Sequence, residues 1–314
     1  IKILNFFYLK DDCYYIIKMA IQKLNFIDTY DFSNTGFRII SKIINFISYL
    51  FNLPIRFYTV LSINYYLHCI KKNGFDNVLN IKNQEEESIE GKVVCWNIQY
   101  GNGFFRPDTF APMIEFLQTQ NASVYLFQEV IISREINQHE ILKEKLNMKF
   151  SLFNASKKFA NLEYGNLILS NTPIDNIIIR KEYQSIDINL YDNPLTLVNV
   201  HLTCDITCYR QTKQLDYLEK DMCQKENGCL VLGDFNLPPW SKTIKRLRNN
   251  IREIKNESYT YPSDYPLVKY DYAFMLEKGE TKFPNISLNV IPDINYSDHL
   301  PMVIQISKDI PKLR

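Results

Sequence analysis

Six short polar motifs in this 314-residue chain hold the side chains that could do chemistry: Trp96-Asn97, Gln128-Glu129, His201-Leu202, Gly233-Asp234-Phe235-Asn236, Asp271-Tyr272 and Ser297-Asp298-His299. Several follow apolar runs, among them Val93-Val94-Cys95, Val124 to Phe127, Leu195 to Val200 and Cys229 to Leu232. Strand ends would thus deliver acids, amides and imidazoles to one place. A carboxylate such as Glu129 after four apolar residues is costly to bury unless it is paired or binds a metal. Asp234 and Asn236 alternate, so extended backbone would point both the same way, able to hold a water or a phosphate oxygen. A divalent metal and a phosphate ester together need such a collection.

The elements that must position these groups alternate from Lys92 onward. Strands are expected at Val93 to Asn97, Val124 to Gln128, Leu167 to Ser170, Ile174 to Ile179, Leu195 to His201, Cys229 to Gly233, Tyr270 to Met275, Ile286 to Val290 and Pro301 to Ile306. Helices are expected at Asp108 to Thr119, Ser133 to Leu146, Thr207 to Lys225 and about Trp240 to Leu247. The mixture suits layered α/β packing.

In order and spread, the motifs resemble the endonuclease/exonuclease/phosphatase superfamily, with its deoxyribonuclease I-like fold, over about Lys92 to Ile306. The resemblance implies an α/β fold, a four-layered α/β sandwich, and metal-dependent hydrolysis of a phosphoester. It implies Mg²⁺, with Mn²⁺ as a second candidate; hard oxygen ligands suit these ions better than zinc. Residue by residue, it makes Glu129 and Asp298 metal ligands, with Asn97 supporting metal and phosphate. Asp234 and Asn236 would orient the attacking water, and Asp271 would orient the catalytic His299. His201 would assist the leaving oxygen, as in the branches that carry a histidine there. Asn166 matches a Gly-Asn position that could touch substrate, and a looser alignment pairs Glu163 with His201. His139, on a polar helix, reads as exposed.

Bulk numbers narrow the substrate. Net charge is +1, with 36 basic and 35 acidic residues. Residues 1–90 hold 10 basic and 9 acidic residues, leaving 26 of each in 91–314. A neutral catalytic region counts mildly against a tight nucleic-acid binder, although a local basic groove can hide in a neutral sum. The seven cysteines are odd in number and form no Cys-x-x-Cys, so a reducing, intracellular compartment is the simpler expectation. Cys95 and Cys229 read as buried thiols.

Residues 1–87 follow a different grammar and are expected to form a helical, basic and aromatic region ending in the acidic linker Asn83 to Glu87, before a catalytic domain at 88–314. No secretory signal peptide is evident. Phe32 to Phe75 holds five basic residues (Arg38, Lys42, Arg56, Lys71 and Lys72) and no acidic one. Ile40, Ile43, Ile44, Ile47, Leu50 and Phe51 fall at helical spacing, and Pro54 suits the first turn of a second helix. Two readings stay open: residues 38–72 lie on a membrane surface, or they pack as ordinary core. The partners expected are therefore a phosphoester substrate, phospholipid or nucleic acid, and under the first reading a membrane; no pattern points to a protein partner. Three functions remain in view: a phosphodiesterase or phosphatase acting near a membrane, a DNA or RNA nuclease, and a catalytically silent binding module. The stretch Leu267 to Asp271 lacks the motif of the inositol-polyphosphate 5-phosphatases, and the tryptophan loop of the abasic-site endonucleases is missing.

Overall fold

The computed structural model describes residues 60–71, 76–102, 109–159, 161–205, 208–278 and 285–307. The amphipathic pattern at 40–51, Pro54 and most of the 38–72 stretch lie outside the described residues.

Strand β1, Ile89–Asn97, shows how the layers arise. Its side chains alternate between faces. Val94 and Trp96 enter one apolar cluster with helix residues, whereas Val93 and Cys95 enter another between two sheets. The first sheet has the order β11-β12-β1-β2-β4-β3. Its other strands are β2 (Ala122–Ile132), β3 (Phe150–Phe159), β4 (Leu162–Ser170), β11 (Ile286–Val290) and β12 (Met302–Ile306). The second has the order β5-β6-β7-β8-β10-β9. It comprises β5 (Asp175–Ile179), β6 (Tyr183–Leu190), β7 (Asn193–His201), β8 (Gly228–Asp234), β9 (Arg252–Glu253) and β10 (Asp271–Leu276).

Between the sheets lie Val124, Leu126 and Ile168 from one side and Leu195, Leu197, Leu230, Leu232 and Ala273 from the other. Helices α1 (60–71), α2 (Asp76–Leu79), α3 (Phe110–Gln120) and α4 (Gln138–Lys145) cover the first sheet's outer face. Helices α5 (Tyr209–Gln224) and α6 (Lys242–Asn250) cover the second through Leu215, Leu218, Ile244 and Leu247. This is the expected α/β sandwich: helices, sheet, sheet, helices. α1 and α2 precede the boundary drawn at Ser88, yet Ile63, Tyr66, Ile70 and Val78 share the core of the first sheet.

Several boundaries moved for local reasons. The expected helix from Ser133 starts only at Gln138, because Ser133 Oγ accepts the amides of Glu135 and Ile136 and Asn137 caps the helix. Ser241 caps α6 by accepting from the Ile244 amide, which shifts that helix past Trp240. β3, β6 and the two-residue β9 are not among the expected strands. The polar residues of β3 and β6 are held by the sandwich: Thr196 Oγ1 donates to Asp187 and Asn154 donates to the Arg180 carbonyl. His139 is half-buried rather than exposed, bonded to Ser151 and stacked on Phe153.

Gly233 fixes the spacing of β7 and β8 beside the motif residues. Its φ is +144°, and a Cβ there would lie 2.0 Å from the Val200 carbonyl oxygen. No L side chain tolerates both constraints. Gly233→Ala is expected to destabilise the fold by about 3 kcal/mol, read as a lower urea midpoint; an unchanged midpoint would contradict this close approach.

Candidate active site

Backbone register assembles the centre. β7 runs parallel to β8 with His201 opposite Asp234, and β10 runs antiparallel to β8 with Asp271 opposite Asp234. Residues opposite each other on neighbouring strands present their side chains to one face. Asp234 therefore sits between an imidazole and a second carboxylate, and it is only 1% exposed.

An anion so buried must be compensated. Asn97 Nδ2 donates to its Oδ2 at 3.2 Å, from the end of β1 in the other sheet. The Asn236 amide donates to Oδ1 at 2.8 Å and its Nδ2 to Oδ2 at 3.2 Å. This corrects the expectation of extended backbone: β8 ends at Asp234 and Asn236 has φ +51°. An Asx-type turn, not strand alternation, brings the two side chains together. Asn236 Nδ2 also donates to the Leu202 carbonyl.

His299 Nδ1 pairs with Asp271 Oδ2 at 2.8 Å, and its Nε2 lies 3.7 Å from Asp234 Oδ2. The loop carrying it is strapped to β1. The Trp96 indole donates to the His299 carbonyl at 2.7 Å, and Ser297 Oγ donates to the Asn97 carbonyl at 2.6 Å. Tyr261 packs its ring 4.8 Å from the imidazole centre.

Glu129 does not simply follow a strand. β2 continues to Ile132, and Glu129 sits on a bulge where register breaks between Phe127 and Val130, with φ +61°. Bulges of this kind re-aim a side chain. Glu129 Oε1 lies 3.6 Å from His201 Nε2, which is 3.8 Å from Asp234 Oδ2. The expected pairing of Glu163 with His201 is not what forms: Glu163 bonds Lys158 at 2.6 Å, toward solvent. Behind the bulge, Gln128 Nε2 donates to Asn199 Oδ1 at 2.6 Å, and Asn199 Nδ2 donates to the carbonyls of Phe127 and Leu167. The sequence signal of this clamp between the sheets is an amide inside the apolar run Val198-Asn199-Val200. Asn199, Trp96, Ser297 and Tyr261 have no role assigned from sequence alone.

Asn166 lies on β4, 1% exposed, with neither amide atom bonded among the described residues. A buried amide left open in this way can bind a substrate oxygen. Asp298 is half-buried beside the others. Burial first, then the charges of Glu129 and Asp234, push its carboxyl up to about 7 against the lowering effect of His299. Burial would lower the His299 imidazole, but the charges of Asp271 and Asp234 and the Asp271 hydrogen bond override it and hold it well above 6.5.

Crowded carboxylates with one amide form a hard-oxygen donor set that fits a divalent cation. The charges of Glu129 and Asp234 act on Asp298, and Asn97 Oδ1 accepts from the Gln99 amide at 3.1 Å. Asp234, Asp271 and His299 bring one ligand atom each within 4.8 Å of one another. In that trio His299 Nδ1 is already taken by Asp271, and Asn97 and Asn236 both hold Asp234.

A family model described as the Endonuclease/Exonuclease/phosphatase family matches residues 94–299. The chain belongs to this family. It is a metal-dependent phosphoric ester hydrolase, and the matched span holds Asn97, Glu129, His201, Asp234, Asp271 and His299. A comparison with curated proteins finds no match. Solved structures agree in fold. An endonuclease/exonuclease/phosphatase family protein from Leptotrichia buccalis C-1013-b is 16% identical, with TM-score 0.53, over 69% of this chain and 99% of its own. A humanised D. rerio TDP2 carrying 14 mutations is 15% identical, with TM-score 0.54, over 69% of this chain and 98% of its own. A functionally unknown conserved protein from Enterococcus faecalis V583 is 16% identical, with TM-score 0.56, over 69% of this chain and 100% of its own.

The charge pattern predicts a titration. The His299 imidazole should titrate above 6.5 by NMR, and Asp271→Asn should lower that value because it removes the anion favouring the protonated form. An unchanged His299 titration in the variant would contradict the pairing.

Proposed function

We propose that the chain is a Mg²⁺-dependent phosphodiesterase acting on a phospholipid-type substrate at a membrane surface. One observation carries the chemistry: the two imidazoles of His201 and His299 stand on the same Asp234 oxygen, 3.8 and 3.7 Å away. Two imidazoles flanking one carboxylate, one accepting a proton and one giving a proton, suit a reaction in which water loses a proton and an alkoxide leaving group gains one.

Glu129, Asp298 and Asn97 would hold the cation, which when bound supplies Lewis-acid polarisation of a phosphoryl oxygen. Asp234 and Asn236 position the water. His299, oriented by Asp271, takes its proton in the neutral imidazole form, which its raised titration shifts toward alkaline pH, and His201 protonates the leaving oxygen. Asn166 donates to the phosphate. Proton transfer of this kind contributes about 10²–10⁴-fold.

The lipid reading is supported by the unbalanced basic stretch 32–75, by the neutrality of 91–314, and by Val60, Leu61 and Tyr65 standing exposed on α1. Among the described residues no helix is long and apolar enough to cross a membrane. The buried thiols Cys95 and Cys229 suit the reducing compartment proposed for it.

A substrate panel with the full chain tests this. Hydrolysis of phosphodiester lipids in vesicles should require Mg²⁺ and stop with chelator. His299→Ala should lose about 10³-fold or more in kcat while remaining folded by circular dichroism. Salt-sensitive cleavage of DNA or RNA with vesicles untouched would replace the lipid reading by the nuclease one.

A further inference from the structure

Helix α1 lies outside the family-matched span 94–299, yet it reaches the catalytic centre through one buried hydroxyl. Ser62 is fully buried. Its Oγ accepts from the Tyr100 hydroxyl at 2.5 Å and from Asn102 Nδ2 at 3.1 Å. One turn along, Tyr66 and the Tyr100 carbonyl share a donor, Gln138 Nε2, at 3.5 and 2.6 Å.

These bonds converge on an unfavourable piece of backbone. Gln99, Tyr100 and Gly101 have φ of +43°, +46° and +70° in succession. Two consecutive non-glycine residues in the left-handed region persist only where surrounding contacts over-determine them. Here those contacts come from α1, from Gln138 of α4 and from Thr109, whose hydroxyl donates to the Gly101 carbonyl at 2.9 Å. The turn also touches the catalytic groups on two sides. The Gln99 amide donates to Asn97 Oδ1 at 3.1 Å, which aims Asn97 Nδ2 at Asp234. The Ile98 amide donates to the Gln128 carbonyl at 3.0 Å, next to the Glu129 bulge.

We propose that Ser62 is a positioning residue for the catalytic centre: by tying α1 to the Gln99–Gly101 turn, it fixes the Asn97 amide on Asp234 and the bulge that presents Glu129. The proposal rests on the assignment of Asn97 and Glu129 to the hydrolytic site. It makes the N-terminal region, which the shared family span lacks, part of the machinery that sets the rate. A hydroxyl that merely filled a core position would change melting temperature and leave the metal requirement alone.

The test uses full-length Ser62→Ala, Tyr100→Phe and the double variant, with bis-p-nitrophenyl phosphate and Mg²⁺ as probes. Ser62→Ala should lower kcat about tenfold or more at nearly constant KM, because slight misplacement of reacting groups is costly. It should also raise the Mg²⁺ concentration needed for half-maximal rate. The double variant should be no worse than either single one, since both act through one bond. Amide exchange at Gln99 should quicken in Ser62→Ala, a readout that needs no substrate. Wild-type kcat and Gln99 exchange in Ser62→Ala would overturn the proposal, and so would additive losses in the double variant. If the wild type hydrolyses no phosphodiester with Mg²⁺, the proposed function fails, and Gln99 exchange alone decides the role of Ser62.

Discussion

A carboxylate buried almost completely at the junction of two sheets is the constraint on which the site depends. Burial pushes the Asp234 carboxyl up from the usual carboxylate range, and the imidazoles of His299 and His201 and the Asn236 amide oppose that push. Asn97 reaches it from the first sheet; Asn236, His201 and His299 reach it from the second sheet and the loop before β12. The groups that would otherwise be scattered along the chain are the ones that compensate this anion.

The sheets supply the rigidity that such compensation needs. His201, Asp234 and Asp271 lie on three adjacent strands in register, so their separation follows from strand spacing and not from loop conformation. Loops contribute only where they are strapped down, as Ser297 to His299 are by Trp96 and Asn97. The Gln128–Asn199 clamp joins the sheets behind the Glu129 bulge, where a slip would move the acid. Sites carried on rigid elements and supported from behind hold their geometry best.

Much of this was legible in sequence because polar residues ending apolar runs are easy to read. Alternating elements point to layered α/β packing, the resemblance implies the four-layered sandwich, and the motif residues fall at strand ends. What escaped was local backbone chemistry. The Asx turn at Asn236, the bulge at Glu129 and the capping by Asn137 and Ser241 depend on single φ angles or hydrogen bonds that periodicity does not encode. β3 and β6 escaped because their polar residues pair only once neighbouring strands and helices are in place; Asp187 needs Thr196 and Lys225. In sequence Glu163 looks like a partner for His201 because it lies near the Gly-Asn motif, whereas the fold gives it Lys158.

The central claim is that Asn97, Glu129, Asp234, His201 and His299 surround one phosphate and one cation. Anomalous diffraction from crystals soaked in Mn²⁺ and inorganic phosphate tests this most directly. The account predicts a Mn²⁺ peak on the Glu129 and Asp298 carboxylates, with phosphate beside it between the two imidazoles and against Asn166. A Mn²⁺ peak confined to Asp234, Asp271 and His299, or phosphate remote from both histidines, would contradict it.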